Sequence, residues 1–111
     1  QESFRAGRVV EWPAEKTTRT ICDGLRTQSV GEIPFAHIQK YVDDILTVSE
    51  DEIRAAMRKL ALEAHLVAEP SGAASFAGYL FHCDSLPDAR RTVVVISGGN
   101  VEREMLHEVL S

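Results

Sequence analysis

The chain is short of basic charge: 12 Lys and Arg stand against 17 Asp and Glu, for a formal net charge of -5. A phosphate-backbone partner needs a basic face, so nucleic-acid binding is not expected, and Arg90 and Arg91 make no more than a pair. Cysteine is scarce too. Cys22 and Cys83 are too far apart for a disulfide framework and lack a C-x-x-C partner, so both read as buried or half-buried thiols. His37, His65, His82 and His107 show no i,i+4 or H-x-H pairing, which argues against a metal centre and reads as helix-surface placement. No apolar run approaches the roughly 20 residues needed to cross a bilayer, and no charged-then-apolar signal pattern opens the chain. No membrane association is expected, and the cytoplasm is the expected compartment. An initial methionine is also missing: the chain enters at once a polar, helix-like QESFRAGR, as the tail of an element that begins upstream, and so reads as a fragment.

What is present suits one domain over residues 1–111. Of its 111 residues, 44% are hydrophobic and 26% charged, enough for a modest core. RVVEW (8–12) reads as a short extended run stopped by Pro13, and the Thr/Ser/Gly-rich stretch after it as loop with a helical turn or two. From Pro34, placed at a first helical position, PFAHIQKYV puts Phe35, Ile38 and Val42 near one face of a helix. A strand over 45–48 follows. Ser49 and Glu52 then form an S-x-x-E capping box, with acids at 50–52 on the positive end of the helix dipole. Ile53, Met57, Leu60, Ala61 and Ala64 recur at three and four, an apolar stripe expected to lie on a sheet. Arg54, Arg58, Lys59 and Glu63 read as its solvated face. Pro70 and Ser71 open a second helix rich in Gly, Ala and Ser. TVVVIS (92–97) reads as a buried strand covered on both faces, and VEREMLHEVL as a terminal helix. The alternation of strand and helix predicts an α/β fold: three layers, a mostly parallel sheet with flanking helices.

Three polar, glycine-bearing segments stand out: TRTICDGLRT (18–27), AEPSGAA (68–74) and ISGGN (96–100). Ser97 falls at the carboxyl end of a strand, the end at which ligands bind in open parallel sheets. Gly98 and Gly99 serve equally well to turn the chain out of the sheet. Gly24 and Thr27 fit a capped turn, and Glu69 an acid favoured by a helix amino end.

Taken together and in order, T-I-C-D-G, V-D-D-I-L-T-V-S-E-D-E-I, E-P-S-G-A and V-V-V-I-S-G-G-N resemble the carboxyl-terminal third of the threonine dehydratase and serine racemase family, over about residues 2 to 110. These are pyridoxal-phosphate enzymes of fold type II, the tryptophan-synthase-β type. The resemblance implies that the segment is part of the large, cofactor-binding catalytic domain. It implies that Ser97 faces the pyridine nitrogen of pyridoxal phosphate, with Gly98 beside it. Gly24 matches a position beside the cofactor face, Glu69 a glutamate close to the ring, and Thr27 a position near the substrate. Cys22 stands where the family usually has alanine, a small change in volume. None of Lys16, Lys40 and Lys59 lies in the family's Schiff-base lysine motif, so no catalytic nucleophile is expected in this span. That lysine, the phosphate-cradling glycines and the ligands of a possible divalent cation are all expected upstream.

The activity implied for the complete protein is that of a homo-oligomeric lyase of amino-acid metabolism. It would act on a small amino-acid substrate, converting threonine or serine to a 2-oxo acid and ammonia. Serine or other amino-acid racemisation and 3-hydroxyaspartate dehydration are the alternatives within the family. A non-catalytic α/β binding or regulatory module is the alternative of another class.

Overall fold

The computed structural model describes residues 1–111. The chain forms two compact units, Gln1–Thr47 and Val48–Ser111.

In the first unit, α1 (Glu2–Ala6) ends at Gly7, whose φ of 68° is a left-handed helix stop that glycine adopts without a Cβ penalty. A single turn, α2 (Ala14–Thr17), follows Pro13, and a 3₁₀ turn covers Asp23–Leu25. Helix α3 (Glu32–Tyr41) begins two residues before Pro34, which therefore occupies the third helical position and not the first. It is tolerated there because the first turn's N–H groups have no intrahelical acceptor to lose. The RVVEW run is tied locally: the Val10 N–H donates to Ser3 Oγ at 2.9 Å, and the Trp12 N–H to the Gln28 carbonyl at 2.8 Å. Helix α1 packs on α3, helped by Gln39 Nε2 donating to the Phe4 carbonyl at 3.1 Å.

The second unit is a helical packing. Helix α4 (Glu50–Glu63) starts at the expected capping box: the Glu52 N–H donates to Ser49 Oγ at 3.3 Å and the Ser49 N–H to Glu52 Oε2 at 2.7 Å. His65, at φ 55°, turns the chain out of the helix. Ile53, Ala56, Met57 and Leu60 are the buried stripe, whereas Ala64 is an exposed cap residue. The stripe lies on helix α5 (Pro70–His82). Along α5 the buried residues after Pro70 are all small: Gly72, Ala73, Ala77 and Gly78. Helix α6 (Arg103–Leu110) packs its Val109 under α4. Arg54, half-buried, and Arg58, exposed as expected, also reach this contact. Arg54 pairs with Glu108 at 3.3 Å, and Arg58 Nη1 donates to the Val109 carbonyl at 3.0 Å. Cys22 is buried as expected, whereas Cys83 is exposed.

The expected three-layer parallel sheet is not formed: residues 1–111 contain no β-ladder. Residues 9–13, 42–49 and 92–102 lie outside helices and turns, but none pairs with another as a strand. β-branched runs dictate an extended backbone, while a ladder also needs a partner strand alongside. The run over 92–97 is not covered on both faces either. Val93 and Val95 are 86% and 67% exposed while Val94 and Ile96 are half-buried, the alternation of a one-sided strand.

Candidate functional site

The end of the VVVIS run is seated on the amino end of α5, and the fit depends on side chains that are absent. A Cβ on Gly72, in the first turn of α5, would collide with the Ser97 carbonyl oxygen and lie 2.7 Å from that of Gly98. Partly negative carbonyl oxygens are favoured at the positive end of a helix. One turn on, Ser75 Oγ donates to the Val95 carbonyl at 2.5 Å. Gly98 has φ +90°, a conformation strained for any residue with a Cβ, and Gly99 packs so that a Cβ would meet the Val67 carbonyl oxygen at 2.8 Å.

Glu69 holds this turn twice. It occupies the N-cap position of α5, yet its side chain makes no cap bond to its own helix. Its N–H donates to the Gly98 carbonyl at 3.2 Å, and its Oε2 accepts the Asn100 N–H at 3.0 Å. The carboxyl group fills the space a Gly98 side chain would need, with Cδ 2.6 Å from the Cβ position. Ser97 itself is exposed. Of the expected site residues, Ser97, Gly98 and Glu69 thus come together. The space a Cβ would take at Gly98 and Gly99 is filled by the protein's own atoms, while both residues stay exposed.

Gly24 and Thr27 belong to the first unit. Gly24 sits in the 3₁₀ turn, exposed, its N–H donating to the adjacent Asp23 Oδ1 at 2.8 Å, and the turn has no side-chain cap. The turn is closed by Arg26, whose Nε and Nη2 donate to the Thr20 carbonyl at 3.0 and 2.7 Å. Thr27 lines a cleft of about 600 Å³ with Trp12, Thr20, Leu25 and Phe35. No group of three or more His, Cys, Asp or Glu comes together to hold a metal ion, and no helix is long and apolar enough to cross a membrane.

Sequence reasoning missed Gly72, Ser75 and the Asn100 N–H. The residue types carry no chemical signal of their own. Only the pairing of a glycine-bearing helix start with a glycine-bearing strand end, some 25 to 30 residues apart, could have pointed to them.

An L-threo-3-hydroxyaspartate ammonia-lyase of Saccharomyces cerevisiae is 40% identical over 111 residues, all of this chain and 33% of the relative. A serine racemase of Schizosaccharomyces pombe is also 40% identical over 111 residues, again 33% of its length. The chain therefore spans about a third of the length of these curated relatives. Among solved structures, a threonine deaminase of T.th. superposes with a TM-score of 0.83 at 40% identity, covering 91% of this chain and 33% of that one. The backbone is thus that of part of a fold type II pyridoxal-phosphate enzyme. The family model for pyridoxal-phosphate dependent enzymes matches residues 1–98, from α1 through the Ser97 turn, and the chain belongs to that family.

Proposed function

We propose that residues 1–111 are the carboxyl-terminal part of a pyridoxal-phosphate-dependent ammonia-lyase that takes a β-hydroxy amino acid, threonine or serine, to a 2-oxo acid and ammonia. The observation that carries this reading is the chemistry at the end of the extended run: an exposed hydroxyl, that of Ser97, beside a carboxylate already occupied by the Asn100 N–H. This donor set fits a pyridine ring. Ser97 would hold the ring nitrogen by a neutral hydrogen bond, whereas an aspartate there would keep it protonated. When bound, the cofactor supplies an electron sink for the substrate's α-carbon, and a hydroxyl partner leaves that sink moderate. A moderate sink favours prompt departure of a β-hydroxyl group. Gly98 and Glu69 would keep Ser97 in place, and Thr27 is the residue proposed to contact the substrate. In the net reaction threonine loses water, regains it on hydrolysis, and ends as 2-oxobutanoate and ammonium.

Racemisation is the second reading, because the serine racemase relative is as similar as the ammonia-lyase one. The test uses the full-length protein with pyridoxal phosphate and L-threonine, L-serine or L-threo-3-hydroxyaspartate in turn. Ammonia and 2-oxo acid are measured together, and D-serine by chiral chromatography. The expected result is equimolar ammonia and 2-oxo acid from threonine or serine. D-Serine without ammonia would favour the racemase, release from 3-hydroxyaspartate alone would reassign the substrate, and no turnover at all would return the chain to the non-catalytic reading.

A further inference from the structure

Glu69 sits at the start of a helix, where an acid is favoured by the dipole alone, and beside the end of an extended run with a proposed cofactor role. Its geometry separates these roles. The side chain makes no cap hydrogen bond to its own helix. It reaches instead across the turn to the Asn100 N–H at 3.0 Å, while the Glu69 N–H holds the Gly98 carbonyl at 3.2 Å. The two bonds bracket Gly99 and begin at the carbonyl of Gly98, which at φ +90° has no side chain to fix it. The carboxyl group lies in the space a Cβ would take. Ser97 is the residue just before this bracket, so the position of its hydroxyl follows from the backbone that Glu69 pins.

We propose that Glu69 is the positioning residue for Ser97, acting through the reach of its carboxyl group to the Asn100 N–H and not through its charge. The inference rests on the reading of Ser97 given above. Reach and charge come apart in two conservative variants. Glu69→Gln keeps an oxygen acceptor at the same distance and loses the charge. Glu69→Asp keeps the charge, but withdraws the acceptor by about 1.5 Å, one carbon–carbon bond, beyond hydrogen-bond range.

Both variants are made in the full-length protein and compared by hydrogen–deuterium exchange of the peptide carrying Asn100, by the bound cofactor's visible absorption and by turnover against pH. Glu69→Gln should match wild type in exchange and keep its pH profile, and should lose far less turnover than Glu69→Asp. Glu69→Asp should exchange faster at Asn100 and shift the spectrum. Its turnover should fall by up to about 10²-fold, the loss typical of a displacement near 1 Å at a reacting centre. Adding Ser97→Ala to Glu69→Asp should cost less than the product of the two single losses, because both act on one group. The proposal is overturned if Glu69→Gln loses as much as Glu69→Asp, if Glu69→Asp behaves as wild type, or if its loss multiplies with that of Ser97→Ala. Exchange is read without substrate, so a full-length protein that protects Asn100 yet has no ammonia-lyase or racemase activity overturns the functional reading and leaves the Glu69 bond standing.

Discussion

At the scale of the residue, Ser97 carries the sharpest consequence. Replacing it with alanine removes one hydrogen-bonding group, and the expected loss of turnover is a fraction of the roughly 10²- to 10³-fold seen when a preorganised electrostatic contact is deleted. Ser97→Asp should do more, because a carboxylate would hold the ring nitrogen protonated and deepen the electron sink. The expected outcome in the full-length enzyme is a changed visible spectrum, slower ammonia release and more transamination-type side product. Absorbance and product ratios across wild type, Ala and Asp check it, and an Asp variant indistinguishable from wild type would remove Ser97 from the ring. The motif around Ser97 was legible as the end of an extended run with a turn. The reason for its glycines was not. Gly72, Gly98 and Gly99 are required by the Ser97 carbonyl, the Glu69 carboxyl group and the Val67 carbonyl, which adjoin them only in the folded chain.

Among the elements, α4 was the most legible because its signals are local. A capping box needs only four consecutive residues, and Ser49 and Glu52 make both of its bonds. Ser49→Ala should lower stability by about 1 kcal/mol, the usual cost of losing an N-cap acceptor, as read from denaturant midpoints. The Ser49 N–H is the main cause that holds the Glu52 carboxyl below its ordinary value of 4.5, and the His82 imidazole, with Nε2 3.0 Å from Oε1, adds to it. A depressed folded value means that Glu52 binds its proton more readily in the unfolded chain. Its contribution is therefore present above about pH 4.5 and lost as pH falls through the lower folded value. The difference in urea midpoint between wild type and Glu52→Gln should accordingly shrink between about pH 7 and about pH 3.5, and a constant difference would contradict it. The partner of α4 was less legible. An apolar stripe shows that a helix is covered without showing by what, and here the cover is α5, together with an α6 tied down by Arg54 and Arg58.

For the molecule as a whole, the segment on its own leaves large apolar side chains in water: Leu62, Leu66 and Val67 in and after α4, and Val93 and Val95 on the extended run. Apolar patches and unpaired extended backbone both promote association, so residues 1–111 expressed alone should sediment as a dimer or larger species. A strictly monomeric segment with a sharp two-state melt would count against this. The sequence by itself determined the family, because four motifs in fixed order survive without any knowledge of contacts, and it determined the starts of α4 and α5 and the extended character of 92–97, because caps and β-branched runs act on near neighbours. Only the tertiary structure decided that the extended runs find no ladder within this chain, that α4 lies on α5, and that Glu69 reaches the Asn100 N–H in place of capping its own helix. Each of those depends on groups distant in sequence meeting within a few ångströms, and a one-dimensional pattern carries no record of which distant groups meet.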